Sequence, residues 1–238
     1  MDLAAVKDAP ALVLARGSVA AARNACGLVQ DAELLSGAGR FGRAYSLAGL
    51  AVEEVGKAGS LATLAAMPET LRARAPLGRM LEWHQMKLVT GALIAALPFG
   101  APGVAAGFVT TPLSEVAEIL DNARASAQDV DRLKQRGLYV DVDRSGRVRE
   151  PSEVTADELR VQLDRARRAA SAATALLDPS APLWLANPGA DAVEFSRALV
   201  SACCEMGLGL VRSPEAAADV LLNAASKLQG LMASAKGR

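Results

Sequence analysis

The sequence predicts an all-α protein, and three observations carry that prediction. Hydrophobic residues make up 51% of the chain and aromatics only 3%, with alanine and leucine dominant, which favours closely spaced helices over aromatic-rich sheets. Apolar and small residues recur at intervals of three and four through long stretches of the chain. Prolines fall at the edges of those stretches, where helices begin. The length, 238 residues, suits a single helical domain over residues 1–238, with its core at about 10–177 and the C-terminal helices of 178–238 as an appendage.

The first helix is expected from about Pro10 to Leu35, stopped by Ser36-Gly-Ala-Gly39, and the second from about Arg40 to Met67. Pro68 and Pro76 suit early helical positions, so a short turn precedes a third main helix carrying Arg79, His84 and Lys87 and ending near Leu97. Pro112 opens a fourth, which runs to about Arg136 with Gly137 as its C-terminal cap. From Leu138 to Pro151 the pattern changes: Val140 and Val142 alternate with Asp141 and Asp143 before a Ser145-Gly146 turn, which predicts a small hairpin or ordered loop. Helical periodicity returns from Ser152 to about Leu177, with Ser and Thr capping candidates ahead of Asp157 and Glu158. Two more helices are expected, near Ala190–Gly207 and Ser213–Ala235.

Lysine plus arginine equal aspartate plus glutamate at 26 each, so whole-molecule electrostatics do not mark a nucleic-acid binder, although local basic clusters exist. They occur at Arg72 and Arg74, at Arg132, Lys134 and Arg136, at Arg144, Arg147 and Arg149, and at Arg165, Arg167 and Arg168, and most are read as solvated faces. Cys26, Cys203 and Cys204 lack metal-site spacing, and two are adjacent, which suits a reducing cytoplasm better than a disulfide framework. His84 is the only histidine, so common Cys/His zinc sites are excluded, while carboxylate-bound magnesium stays compatible; no cofactor is expected. The N-terminus lacks the basic and apolar regions of a signal peptide. The uncharged run from Leu88 to Thr110 is interrupted by Pro98, Gly100, Pro102 and Gly103, which argues for a buried helix end and a loop rather than a membrane span.

The most informative stretch is Ala44 to Lys57. On a helix, Gly42, Ser46, Gly49, Glu53, Gly56 and Ser60 recur at intervals of 4, 3, 4, 3 and 4, a narrow stripe that lets another backbone approach and has a carboxylate at its centre. Lys57 lies four residues after Glu53 and three after Glu54, in reach of either. Arg79, four intervening residues and His84, with Lys87 three further on, then make a candidate site for cleaving an RNA phosphodiester by its own 2′-hydroxyl. Histidine moves the proton, the guanidinium stabilises charge gathering on phosphorus, and no metal is required. Glu53 or Glu54 would hold His84 or Arg79 in position. On one straight helix Arg79 and His84 are about 140° apart, which a second subunit reconciles most simply. The plainer alternatives are a satisfied boundary histidine, a solvated Glu-Glu-x-x-Lys pair and ordinary helix packing along the stripe.

Ala48-Gly-Leu-Ala-Val-Glu-Glu-Val-Gly-Lys57, the His84-x-x-Lys87 pair and Lys134-Gln-Arg-Gly-Leu-Tyr-Val-Asp141 followed by Pro151 together resemble the AbiV family of abortive infection proteins, over about Pro10 to Leu177. That family sits in the HEPN superfamily. The resemblance implies a helical bundle, usually a homodimer, that acts in bacterial phage defence by shutting down translation or growth. Many superfamily members are metal-independent ribonucleases with an Arg-x4-6-His motif, which maps here onto Arg79 and His84. Met80 departs from the polar residue that often follows the arginine in active members. The expectation is therefore a cytoplasmic anti-phage endoribonuclease with Arg79, His84, Glu53, Glu54, Lys57 and Lys87 at its site, RNA as substrate and a phage-encoded protein as activator. The alternative is a non-catalytic helical dimer that binds a phage protein or a translation component. A third version gives the function to the Leu138–Pro151 element as a docking surface anchored by Tyr139.

Overall fold

Pro10 and Pro112 each stand one residue ahead of a long helix, where the missing backbone N–H would have had no intrahelical partner in any case. In the computed structural model, which describes residues 3–72, 84–96, 111–142, 145–187, 193, 197–198, 219, 221–227 and 229–230, these helices are α2 (Ala11–Gly37) and α6 (Leu113–Leu138). Between them run α3 (Phe41–Ala66), the one-turn α4 (Glu69–Arg72) and α5 (His84–Ala96). A short α1 (Leu3–Asp8) precedes α2; α7 (Ala156–Ala172) and α8 (Ala181–Ala186) follow the hairpin. The two short helices α1 and α8 were not expected from the sequence. Most of the expected helix at 190–207, apart from residues 193 and 197–198, and the start of the third helix, including Arg79, Met80 and Trp83, lie outside the described residues, as do Cys203 and Cys204.

α3 occupies the centre, packed by α2, α5, α6 and α7. Its interface with α2 is built from alanines: Ala15, Ala22 and Ala25 meet Ala44, Ala51 and Ala58, all wholly buried. Side chains this small let the two helices lie close, and Ser18 Oγ donates 2.8 Å to the carbonyl of Ala58 across the contact. Bulk comes from Leu64, Leu93, Leu120, Leu159 and Leu176, contributed by four helices and a 3₁₀ turn, Ala173–Leu177, so one apolar cluster spans the bundle. Leu221, Ala224 and Ala225, near the C-terminus, belong to the same cluster.

The hairpin is present in minimal form. Asp141–Val142 pairs antiparallel with Val148–Arg149 in the register Asp141 to Arg149 and Val142 to Val148, and Gly146 takes the positive φ of 82° that the turn requires. α7 begins at Ala156, four residues later than the Ser152 expected, after a 3₁₀ turn at Pro151–Glu153, and is capped by one of the expected Ser and Thr candidates: Thr155 Oγ1 accepts from the N–H of Glu158, and the Glu158 carboxylate accepts from the N–H of Thr155 at 2.8 Å. Gly137 does not cap α6. It lies inside the helix, where a Cβ would overlap the carbonyl of Gly42 and the hydroxyl of Ser46, so it is a close-approach residue. Among the described residues no helix is long and apolar enough to cross a membrane.

Candidate functional site

The stripe on α3 is a seam within the subunit, used from both sides. Toward α6, Gly42 faces Gly137, and Ser46 Oγ donates 2.7 Å to the carbonyl of Lys134. Toward α5, Gly56 lies so near the Lys87 carbonyl that no Cβ fits, and Gly91 on α5 bears the same relation to the carbonyl of Val52. Antiparallel neighbours on two sides therefore converge on the middle of the stripe, where Glu53 stands.

Glu53 is 3% exposed and meets three basic groups. Its Oε1 accepts from Lys134 Nζ at 2.5 Å, its Oε2 from His84 Nδ1 at 2.6 Å, and Lys87 Nζ lies 3.4 Å from Oε2. A buried carboxylate is tolerated only when its lone pairs are met in this way. Lys134 is buried as well; its ammonium also lies 3.1 Å from Asp131 Oδ1, an electrostatic contact without hydrogen-bond geometry. His84 differs from its partners: its side chain is 56% exposed. The carboxylate offers only acceptors, so Nδ1 carries a proton, and in the neutral form of the ring Nε2 is the nitrogen with the lone pair.

Glu53, His84 and Lys87 thus come together as the sequence suggested, and Glu54 and Lys57 do not join them. One residue along a helix is a rotation of about 100°. Glu54 therefore leaves the seam and pairs with Lys57 at 3.2 Å, at the edge of an apolar groove of about 640 Å³ between α1, α2 and α3. Of the two carboxylates within reach of Lys57, it is Glu54 that takes it.

Lys134 was missed as a site residue because it sits in a run of basic residues read as solvated. The correction follows from burial: Lys134 and Arg72 are among the buried charged side chains, and Arg165 is half-buried. A signal was available. On α6, Val116, Leu120, Ala123, Ala127 and Val130 are buried at intervals of 4, 3, 4 and 3, and Lys134 is the next step of that apolar stripe. A lysine in a core position needs an anion, and Glu53 is on the facing stripe. Arg72, in turn, ties α4 back to the N-terminal segment by donating to the carbonyl of Ala9.

Two of the shifted groups are buried and lie elsewhere, on α3 and α7. Burial pushes the Tyr45 phenol up to about 12, and burial lowers the Arg165 guanidinium from its ordinary value. Among the described residues no three His, Cys, Asp or Glu side chains converge as a metal site would require.

A family model, HEPN_AbiV, described as AbiV, matches residues 13–171, which is 159 of the 238 residues and includes α3, α5, α6, the hairpin and nearly all of α7. The chain belongs to the AbiV family. No curated protein and no solved structure matches it. In this AbiV-family chain the matched region contains every residue of the Glu53 cluster, and membership of a HEPN family points to an abortive-infection function.

Proposed function

We propose that this protein is a bacterial anti-phage effector that cleaves RNA without a metal ion, with His84 as its acid–base residue. The observation that carries the reading is the hydrogen bond from His84 Nδ1 to the buried Glu53 carboxylate on a side chain that is otherwise more than half exposed. Glu53 acts as a positioning residue. It orients the ring and selects the tautomer whose Nε2 can take a proton from a 2′-hydroxyl. The 2′-oxygen then attacks the adjacent phosphorus, the 5′-oxygen leaves with a proton, and a 2′,3′-cyclic phosphate and a 5′-hydroxyl result. Arg79, contributed across a homodimer, stabilises the charge that gathers on the phosphoryl oxygens, and Lys87 adds positive potential beside the histidine. Substrate contacts are chiefly to phosphate and therefore salt-sensitive. The site of action is the cytoplasm, and a phage-encoded protein releases the activity.

Purified protein incubated with total cellular RNA and tRNA in EDTA tests this directly. Cleavage leaving cyclic phosphates in wild type and lost in His84→Ala is the expected result. Cleavage undiminished in His84→Ala overturns it.

A second reading is favoured by the hairpin. Leu138, Tyr139, Val140, Val142 and Val148 are all exposed, Tyr139 by 61%, a concentration of apolar surface suited to holding a protein partner. On that reading the protein is a binding module for a phage protein or a translation component. Intact RNA in the assay, together with loss of phage protection in Tyr139→Ala, would favour it.

A further inference from the structure

One face of α2 is turned away from the bundle. Val13, Ala20, Gly27 and Leu34 recur every seven residues, two helical turns, so they form one line about 32 Å long. Val13 is 53% exposed and Leu34 73%, and among the described residues no large apolar side chain is more exposed than Leu34. Along the first half of the line, Val13, Gly17, Ala20 and Asn24 form the α2 wall of the apolar groove between α1, α2 and α3. The groove thus lies at one end of the helix and the exposed leucine at the other.

Gly27 has no explanation within the subunit. A glycine inside a helix costs about 1 kcal/mol relative to alanine. Gly42, Gly56, Gly91 and Gly137 each admit a neighbouring carbonyl where a Cβ would overlap, but a Cβ on Gly27 would meet nothing within 4 Å. The charges of the face are also divided by end. Arg16 and Arg23 are exposed in the first half and Asp31 in the second, and none of the three is in an ion pair among the described residues. Glu33, the other acid of α2, is held by Arg167 of α7 at 2.7 Å.

We propose that this face of α2 binds the same face of a second copy of the chain, with the two helices antiparallel about a two-fold axis. Val13 meets the partner's Leu34, which enters the groove, and Arg16 meets the partner's Asp31. Ala20 meets the partner's Gly27, whose missing Cβ lets the helices approach closely. Asn24 lies beside the axis and accepts from the partner's Arg23. Each contact occurs twice. Parallel helices would instead set Arg16 against Arg16 and Asp31 against Asp31 and keep each leucine away from the groove. The contact uses no residue of the Glu53 cluster and is separate from the one that would carry Arg79 to His84, so it does not rest on the ribonuclease reading.

Sedimentation of the full chain, combined with cysteine cross-linking, tests the proposal. Concentration-dependent self-association is expected, and Gly27→Leu weakens it about tenfold or more, a loss of about 1.4 kcal/mol. Leucine is the better helix former, so helical circular dichroism is kept. Arg16→Glu weakens association as well, and adding Asp31→Arg to it restores the wild-type value. On oxidation, Ala20→Cys mixed with Gly27→Cys gives a disulfide-linked dimer above the level that the native cysteines form in wild type. Neither variant alone does so, because its two thiols lie about 10 Å apart along the seam, too far for a disulfide. A chain that stays monomeric at about 100 µM overturns the proposal. So does association that survives both Gly27→Leu and Arg16→Glu, which would use another face, or cross-linking by a single variant as strong as by the mixture.

Discussion

Glu53 and Glu54 are adjacent on α3, chemically identical, and held in opposite circumstances. Glu53 faces a seam where two helices press against glycines, and it is surrounded by Lys134, His84 and Lys87. Glu54 faces the edge of an apolar groove and has one lysine from its own helix. The difference is one step of helical rotation. It teaches that the importance of a carboxylate here is set by which helices meet its face. In the seam each partner removed leaves a buried charge uncompensated, whereas at the groove's edge water replaces whatever is lost.

The largest expected effect breaks the seam. Lys134→Met leaves Glu53 Oε1 unpaired at a buried position and should lower unfolding free energy by about 3–5 kcal/mol, read by urea denaturation. A loss below about 1 kcal/mol would mean that Lys134 is solvated after all. Glycines sharpen the comparison. Gly56→Ala places a methyl against the Lys87 carbonyl and should cost about 1–3 kcal/mol, while Gly49→Ala, whose Cβ would make only ordinary contacts with Val130 and Lys134, should be neutral or stabilising by up to about 1 kcal/mol. Equal melting temperatures for the two variants would contradict the tight α3–α5 approach.

An alkaline titration examines another buried polar group of α3. Tyr45 is raised from 10.0 to about 12, so its neutral form is favoured by folding. The resulting stability is fully present below pH 10 and is lost as pH rises through 12. Relative to Tyr45→Phe, wild type should therefore lose roughly 2 kcal/mol across that window. Parallel pH profiles for the two proteins would refute a buried phenol. The smallest effect belongs to the groove's edge: Lys57→Ala should change stability by less than about 0.5 kcal/mol, and a larger loss would place Glu54 in a drier setting than its single pair implies.

Much of the fold was legible because it depends on local spacing. The boundaries of α2, α3 and α6, the Thr155–Glu158 cap of α7 and the hairpin turn at Gly146 all follow from residues within a few positions of one another. The short α1 and α8 carry too few turns to leave a periodic signal. Gly137 was misread because a glycine near a helix end suits a cap and a close approach equally, and only the presence of Gly42 opposite it separates the two.

By itself the sequence determined that residues 42, 46, 49, 53, 56 and 60 share one face of a helix, that His84 and Lys87 share another, and that Lys134 falls on an apolar stripe. Those are properties of a 3.6-residue repeat and need no partner. The tertiary structure decided that the carboxylate on the first face meets the bases on the other two, that Glu54 and Lys57 pair apart from them, and that Arg165 lies half-buried against Gln162. Glu53 and Lys134 are 81 residues apart in the chain, and no local rule couples them. Their meeting depends on α6 settling against Gly42 and Ser46 and α5 against Gly56, contacts that exist only when the three helices are packed together.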